Sequence, residues 1–108
     1  VVRGKEMLLK LGVDISRLKP EIRKRLPIIE TIWEQVTDRE PVITSTYEGD
    51  HSVGSLHYAN LAVDFRKNVN GAFLGTLLTR LRSQLGRDYD VVKEASHIHI
   101  EYDPKETR

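Results

Sequence analysis

Residues 97–102 read His-Ile-His-Ile-Glu-Tyr, and so strict an alternation leaves the backbone one comfortable choice. Successive side chains of a β-strand point to opposite faces. Ile98 and Ile100 therefore share a face that seeks burial, and His97 and His99 share the other, with Tyr102 expected to back them. Residues 61–66 (LAVDFR) alternate in the same way. Leu61, Val63 and Phe65 take one side, Ala62 and Asp64 the other, and the small Ala62 leaves room beside the carboxylate. Both strands thus carry an apolar face and a chemically equipped face, and the apolar faces need cover from one side only.

Two amphipathic segments supply that cover. In residues 20–37, Ile22, Leu26, Ile29, Trp33 and Val36 recur at steps of three and four and share one helical face. Trp33 on that stripe reads as core. Pro20 suits a first helical turn. Pro27 removes a donor and crowds the preceding turn, so a kink or two short helices are expected. In residues 68–86, Phe73, Leu74, Leu77, Leu78, Leu81 and Leu85 form the stripe, with Gly86 as the stop. Residues 41–47 (PVITSTY) read as a strand with Pro41 at its start, 48–55 as a polar loop, and 89–95 as the partner of 97–103 across a tight turn at Ala95–Ser96. The first 13 residues are expected to be a short helix or a loosely docked arm, with Asp14 or Ser16 as a cap for the next element. Residues 104–108 are expected to be a loose tail. Helices set apart from paired strands indicate one α+β domain over residues 1–108, an antiparallel sheet with helices on one face.

Composition narrows the function. The chain has 108 residues, enough for one core. Its 17 basic and 16 acidic residues are interspersed and leave a net charge of +1, which argues against a nucleic-acid partner. No apolar run approaches the length of a membrane span, and a monomer is expected. The sequence opens VVRGKEM, as a trimmed or mature segment would, so the lack of a visible signal peptide carries little weight. With no cysteine, disulfides and thiolate ligands are excluded. Any metal must be held by His, Asp or Glu.

Zinc takes about four ligands, and catalytic sites leave one position open. His57, Asp64 and His99 would supply two nitrogens and an oxygen from paired strands. Each alone is most often a surface or hydrogen-bonded residue; together they suggest a site. Glu94 stands three residues before His97 and reads either as a general base beside such a site or as a solvated carboxylate next to Lys93. His51 could polarise a carbonyl or simply be exposed.

The segment Ser55-Leu56-His57-Tyr58-Ala59-Asn60-Leu61-Ala62-Val63-Asp64 resembles the S-x-H-x-x-G-x-A-x-D signature of the zinc D-alanyl-D-alanine carboxypeptidases and phage L-alanyl-D-glutamate endolysins. His97-Ile98-His99 is similar to their H-x-H motif. Residues 50–58 (DHSVGSLHY) and 94–100 (EASHIHI) also resemble the zinc-site segments of the hedgehog amino-terminal signalling domain, a member of the same superfamily. The resemblance spans residues ~40–103. It implies a hedgehog/D-Ala-D-Ala peptidase-like fold, Zn2+ held by His57, Asp64 and His99, Glu94 as general base, and His97 and His51 as stabilisers of the oxyanion. An alternative register, E-x-x-H, would make His97 the last ligand. Tyr58 and Arg66 are candidate substrate-binding residues.

Two positions depart from the pattern. Asn60 stands where the family has Gly, a site of positive φ that Asn tolerates better than most residues. Ser45-Thr46-Tyr47-Glu48 stands where carboxypeptidases read S-G-Y-R, so Glu48 reverses a substrate-binding charge unless Arg66 replaces it. That shifts the expectation from carboxypeptidase towards endopeptidase. The reading is a zinc peptidase of bacterial or phage origin acting on peptidoglycan peptides. The alternatives are a hedgehog-like zinc-containing binding module without peptidase activity, and a metal-free interaction domain.

Overall fold

The computed structural model describes residues 7–49, 51, 54–69 and 71–105. Among them the elements run β1 (Leu8–Leu9), α1 (Pro20–Arg23), α2 (Leu26–Thr37), β2 (Val42–Ser45), β3 (Ala62–Arg66), α3 (Gly71–Leu85), β4 (Tyr89–Lys93) and β5 (His97–Tyr102). Residues 1–6 and 106–108, which make up much of the expected arm and tail, lie outside the described residues, as do 50, 52, 53 and 70.

The strands form one sheet in the order β1-β2-β3-β5-β4. The pairs β2–β3, β3–β5 and β4–β5 are antiparallel, but β1 runs parallel to β2, so the sheet is mixed rather than wholly antiparallel. The cause is the connection: between β1 and β2 the chain passes through α1 and α2, and a helical crossover returns it in the same direction. The start of the described chain is therefore neither helix nor loose arm. Leu8 N–H donates to Pro41 O at 2.9 Å and Lys10 N–H to Ile43 O at 2.9 Å.

Pro27 splits the long amphipathic segment in two. It occupies the first turn of α2, where the missing donor has no intrahelical partner to lose. Neither Asp14 nor Ser16 caps a helix: Asp14 Oδ1 accepts Ser16 N–H at 2.8 Å in a local turn, and the N-cap of α1 is Lys19. The core lies between the helices and one sheet face. It joins Ile22, Ile29, Ile32 and Trp33 to Leu77, Leu81 and Leu85, and all of these to Val63, Phe65, Ile98 and Ile100. Trp33 is fully buried, tilted against Phe65 at 5.2 Å between ring centres, and its indole N–H donates to Asn68 Oδ1 at 3.1 Å. Phe73 departs from expectation and is 47% exposed. At about 100° per residue it sits roughly a quarter-turn from the middle of the Leu stripe. Among the described residues no helix is long and apolar enough to cross a membrane.

Candidate metal centre

Alternation along β3 and β5 decides which residues meet on the face away from the helices. Asp64 pairs with His99, Arg66 with His97 and Ala62 with Glu101. With Val63 and Phe65 in the core, Ala62, Asp64 and Arg66 point the other way, as do His97, His99 and Glu101 opposite Ile98 and Ile100. The period of two thus corrects one expectation: Tyr102 belongs to the isoleucine side, where it tilts against Tyr89 at 5.2 Å, and Glu101 stands beside the histidines. Glu101 is legible from the same alternation, since it lies two residues beyond His99.

His57 enters from the loop before β3. A turn closes around it, with Asn60 N–H donating to His57 O at 3.0 Å and Leu61 N–H to Leu56 O at 3.0 Å. Asn60 takes φ 62°, the left-handed conformation expected where the motif carries Gly. On the other side β2 bulges: Ile43 pairs with Phe65, but Ser45 pairs with Asp64. Just past the bulge the Thr46 carbonyl meets His57 Nδ1 at 2.5 Å.

Three ligand-type atoms converge. Asp64 Oδ1 lies 3.0 Å from His57 Nε2 and 2.8 Å from His99 Nδ1, and the two nitrogens are 3.2 Å apart. The outer nitrogen of each ring faces an oxygen that can only accept: the Thr46 carbonyl for His57, and Glu101 Oε1, at 2.7 Å, for His99. The outer nitrogens therefore carry the protons. In the neutral rings, His57 Nε2 and His99 Nδ1 then present lone pairs to each other and to a carboxylate oxygen. Such a set is repulsive unless a proton or a cation sits among the three atoms. At the usual zinc distances, the edges of a coordination tetrahedron are about 3.3 Å, close to the spacing here. The donor chemistry fits a metal ion.

In the metal-free protein a proton takes that central place. Burial works to raise the Asp64 carboxyl, but its contacts with the His57 and His99 rings outweigh it and hold the group well below the usual carboxylate range. Burial works to lower His99, and its bonds to Asp64 and Glu101 reverse that, so it is pushed up to about 8. His57 is 2% exposed and Asp64 6%.

Of the remaining expected residues, His51, Glu94 and His97 join Ser55, His57, Asp64 and His99 in lining a cavity of about 340 Å3. Glu94 is exposed on its rim, in the β4–β5 turn. His97 Nε2 is 3.6 Å from Asp64 Oδ2, the oxygen turned away from the converging nitrogens. The His51 ring stacks on His57 at 3.8 Å with 8° between planes, and its Nε2 meets Glu48 O at 2.7 Å and Ser45 Oγ at 3.1 Å. His51, His57 and Asp64 also bring ligand atoms within 4.8 Å of one another and could hold a metal ion. The Glu48 carbonyl, however, requires the proton on His51 Nε2. Arg66 is exposed on the Asp64 face beside His97. Tyr58 lies outside the cavity lining: its hydroxyl accepts His51 N–H at 2.8 Å and pins the loop.

Glu48 proves to be a staple. Its carboxylate accepts Asp14 N–H at 2.6 Å, Thr46 N–H at 2.8 Å and the Thr46 hydroxyl at 2.9 Å. Burial alone would raise its pKa, and these donors lower it. The negative charge at this position holds the Thr46 segment against the β1–α1 connection. Comparison of the chain with protein-family models, curated proteins and solved structures gives no match in any of the three.

Proposed function

We propose that the protein is a zinc-dependent peptidase in which His57 Nε2, Asp64 Oδ1 and His99 Nδ1 hold the metal. The observation that carries this reading is the convergence of those three atoms within 3.2 Å while the far side of each ring is tied to an acceptor. Two neutral imidazoles and a carboxylate suit zinc better than the harder ions. Zinc bound there would supply a water of lowered pKa and would polarise a carbonyl.

The chain's own groups complete the chemistry. Glu94, free at the cavity rim, takes the proton of the attacking water and delivers it to the leaving amine. His97 donates to the oxygen of the scissile carbonyl as charge develops on it. His97 Nε2 stands 3.6 Å from Asp64 Oδ2, within the lining of the same cavity. A cavity of about 340 Å3 admits a short peptide segment. The substrate class, a bacterial cell-wall peptide, rests on the motif resemblance of residues 55–64 and 97–99. Because the residue at position 48 is a carboxylate rather than the arginine of the resembled motif, a free terminal carboxylate would look to Arg66, exposed on the Asp64 face, for its cation. A second reading is a hedgehog-like module in which zinc serves structure alone. It draws on the exposure of Glu94 at the cavity rim.

Metal content of the purified wild type and of Asp64→Ala is the test. About one zinc per chain, lost in the variant, supports the centre; none in wild type after supplementation at neutral pH refutes it. Hydrolysis of cell-wall peptides by wild type but not by Glu94→Ala, with zinc retained in both, separates the peptidase from the structural module.

A further inference from the structure

We infer that Glu101 is a positioning residue for the metal centre: it fixes which nitrogen of His99 faces the metal. The inference rests on the zinc reading above and adds a residue that neither the motifs nor the resemblance assigns. Glu101 Oε1 lies 2.7 Å from His99 Nε2, within the same strand, and the sheet register sets Glu101 between Ala62 of β3 and Asp90 of β4. A carboxylate there accepts a proton that only Nε2 can give. Nδ1 is then left as the lone pair aimed at Asp64 Oδ1, 2.8 Å away. Without that acceptor the competing tautomer becomes available, in which Nδ1–H donates to Asp64 and the ligand position is closed. Acceptors of this kind raise the basicity of a ligating imidazole and hold its plane.

The surroundings of Glu101 sharpen the point. Carboxylate oxygens of Asp90, Glu101 and Asp103 lie within 4.8 Å of one another. Lys105 Nζ engages Asp90 at 3.1 and 3.2 Å and Asp103 at 3.7 Å, so the ammonium serves those two. The charged partner of Glu101 in this group is the His99 ring. Removing the carboxylate relieves repulsion within this acidic group but also forfeits its bond to His99, so metal affinity and the His99 tautomer, rather than stability, read its role.

The experiment measures zinc affinity by chelator competition at neutral pH, together with the melting temperature of the metal-free proteins, for wild type, Glu101→Ala and Glu101→Gln. Glu101→Ala is expected to bind zinc about 10- to 100-fold more weakly, with the melting temperature reporting whether the variant is folded. Glu101→Gln keeps an acceptor oxygen and is expected to recover most of the affinity. Long-range 1H–15N spectra of zinc-loaded wild type are expected to place the remaining His99 proton on Nε2. That reading does not depend on any variant folding. Coordination through Nε2 overturns the inference, as does unchanged affinity in Glu101→Ala or a Gln variant no better than Ala. If wild type takes up no zinc, the proposed function falls with it; if wild type binds and the variants do not differ, only the inference about Glu101 falls.

Discussion

Raising the pH from about 6 to 9 is expected to move the stability of the metal-free and zinc-loaded proteins in opposite directions. His99 is raised from 6.5 to about 8 by its bonds to Asp64 and Glu101, against the effect of burial. The folded state thus binds this proton more tightly than the unfolded chain does. The stabilisation is whole below about 6.5 and is lost as pH rises through about 8. A shift of that size corresponds to roughly 2 kcal/mol. His99 keeps 16% of its side chain exposed, so solvent takes only a modest share of this. With an unfolding entropy of about 2.1 cal/mol/K per residue, a domain of this size should lose roughly 9 °C in melting temperature. Asp64 does not disturb the window, because its carboxyl is depressed and its contribution is lost only in acid. Zinc bound at the proposed centre would reverse the trend: it would compete with protons for the histidine nitrogens, so the stabilisation it adds would grow as pH rises. Differential scanning calorimetry of chelator-treated and zinc-saturated protein at pH 6, 7, 8 and 9 measures both curves. A metal-free melting temperature that stays flat or climbs between pH 6.5 and 8.5 would refute the charge balance deduced for His99. Zinc stabilisation that weakens with pH would refute its coordination by neutral imidazole.

Other substitutions test separate parts of the structure. Asn60→Gly should stabilise the protein by about 1 kcal/mol: it removes a left-handed non-glycine residue and the buried, unpartnered Oδ1, offset by glycine's backbone entropy. Urea denaturation would expose the opposite sign. Glu48→Arg, which restores the charge of the resembled carboxypeptidase motif, should cost about 2 kcal/mol by stranding the donors of Asp14 and Thr46. A variant as stable as wild type would refute the staple. Phe65→Ala should cost about 3–5 kcal/mol as a fully buried ring is removed, and Phe73→Ser less than about 1 kcal/mol. Equal losses in chemical denaturation would contradict the assignment of the α3 stripe.

How much of the fold is legible without coordinates is best seen in β5. His-Ile-His-Ile-Glu-Tyr encodes its own two faces, because side chains alternate whatever the strand pairs with. The same logic sets Asp64 opposite Val63 and Phe65, puts Trp33 and most of the Leu stripe in the core, and marks Pro27 as a break. The error over Tyr102 is one of parity rather than of missing information, and counting by twos along the strand finds Glu101. Phe73 misleads because a six-residue stripe is wider than the face that the sheet covers.

The residue order alone determined which side chains share a face, where the helices stop, that any metal must be bound without cysteine thiolate, and that His97, His99 and Asp64 lie on strands with one apolar face. These are local properties, set by backbone periodicity and residue chemistry. Only the tertiary structure decided that β1 runs parallel to β2, that the bulge in β2 brings the Thr46 carbonyl onto His57, that Glu48 is bound by backbone donors, and that Glu101 holds His99. Each of these depends on the register between segments distant in sequence or on the partner a polar atom finds in space. A shift of one residue in pairing would exchange the faces of a strand, and no local pattern records which acceptor waits on the far side of an imidazole.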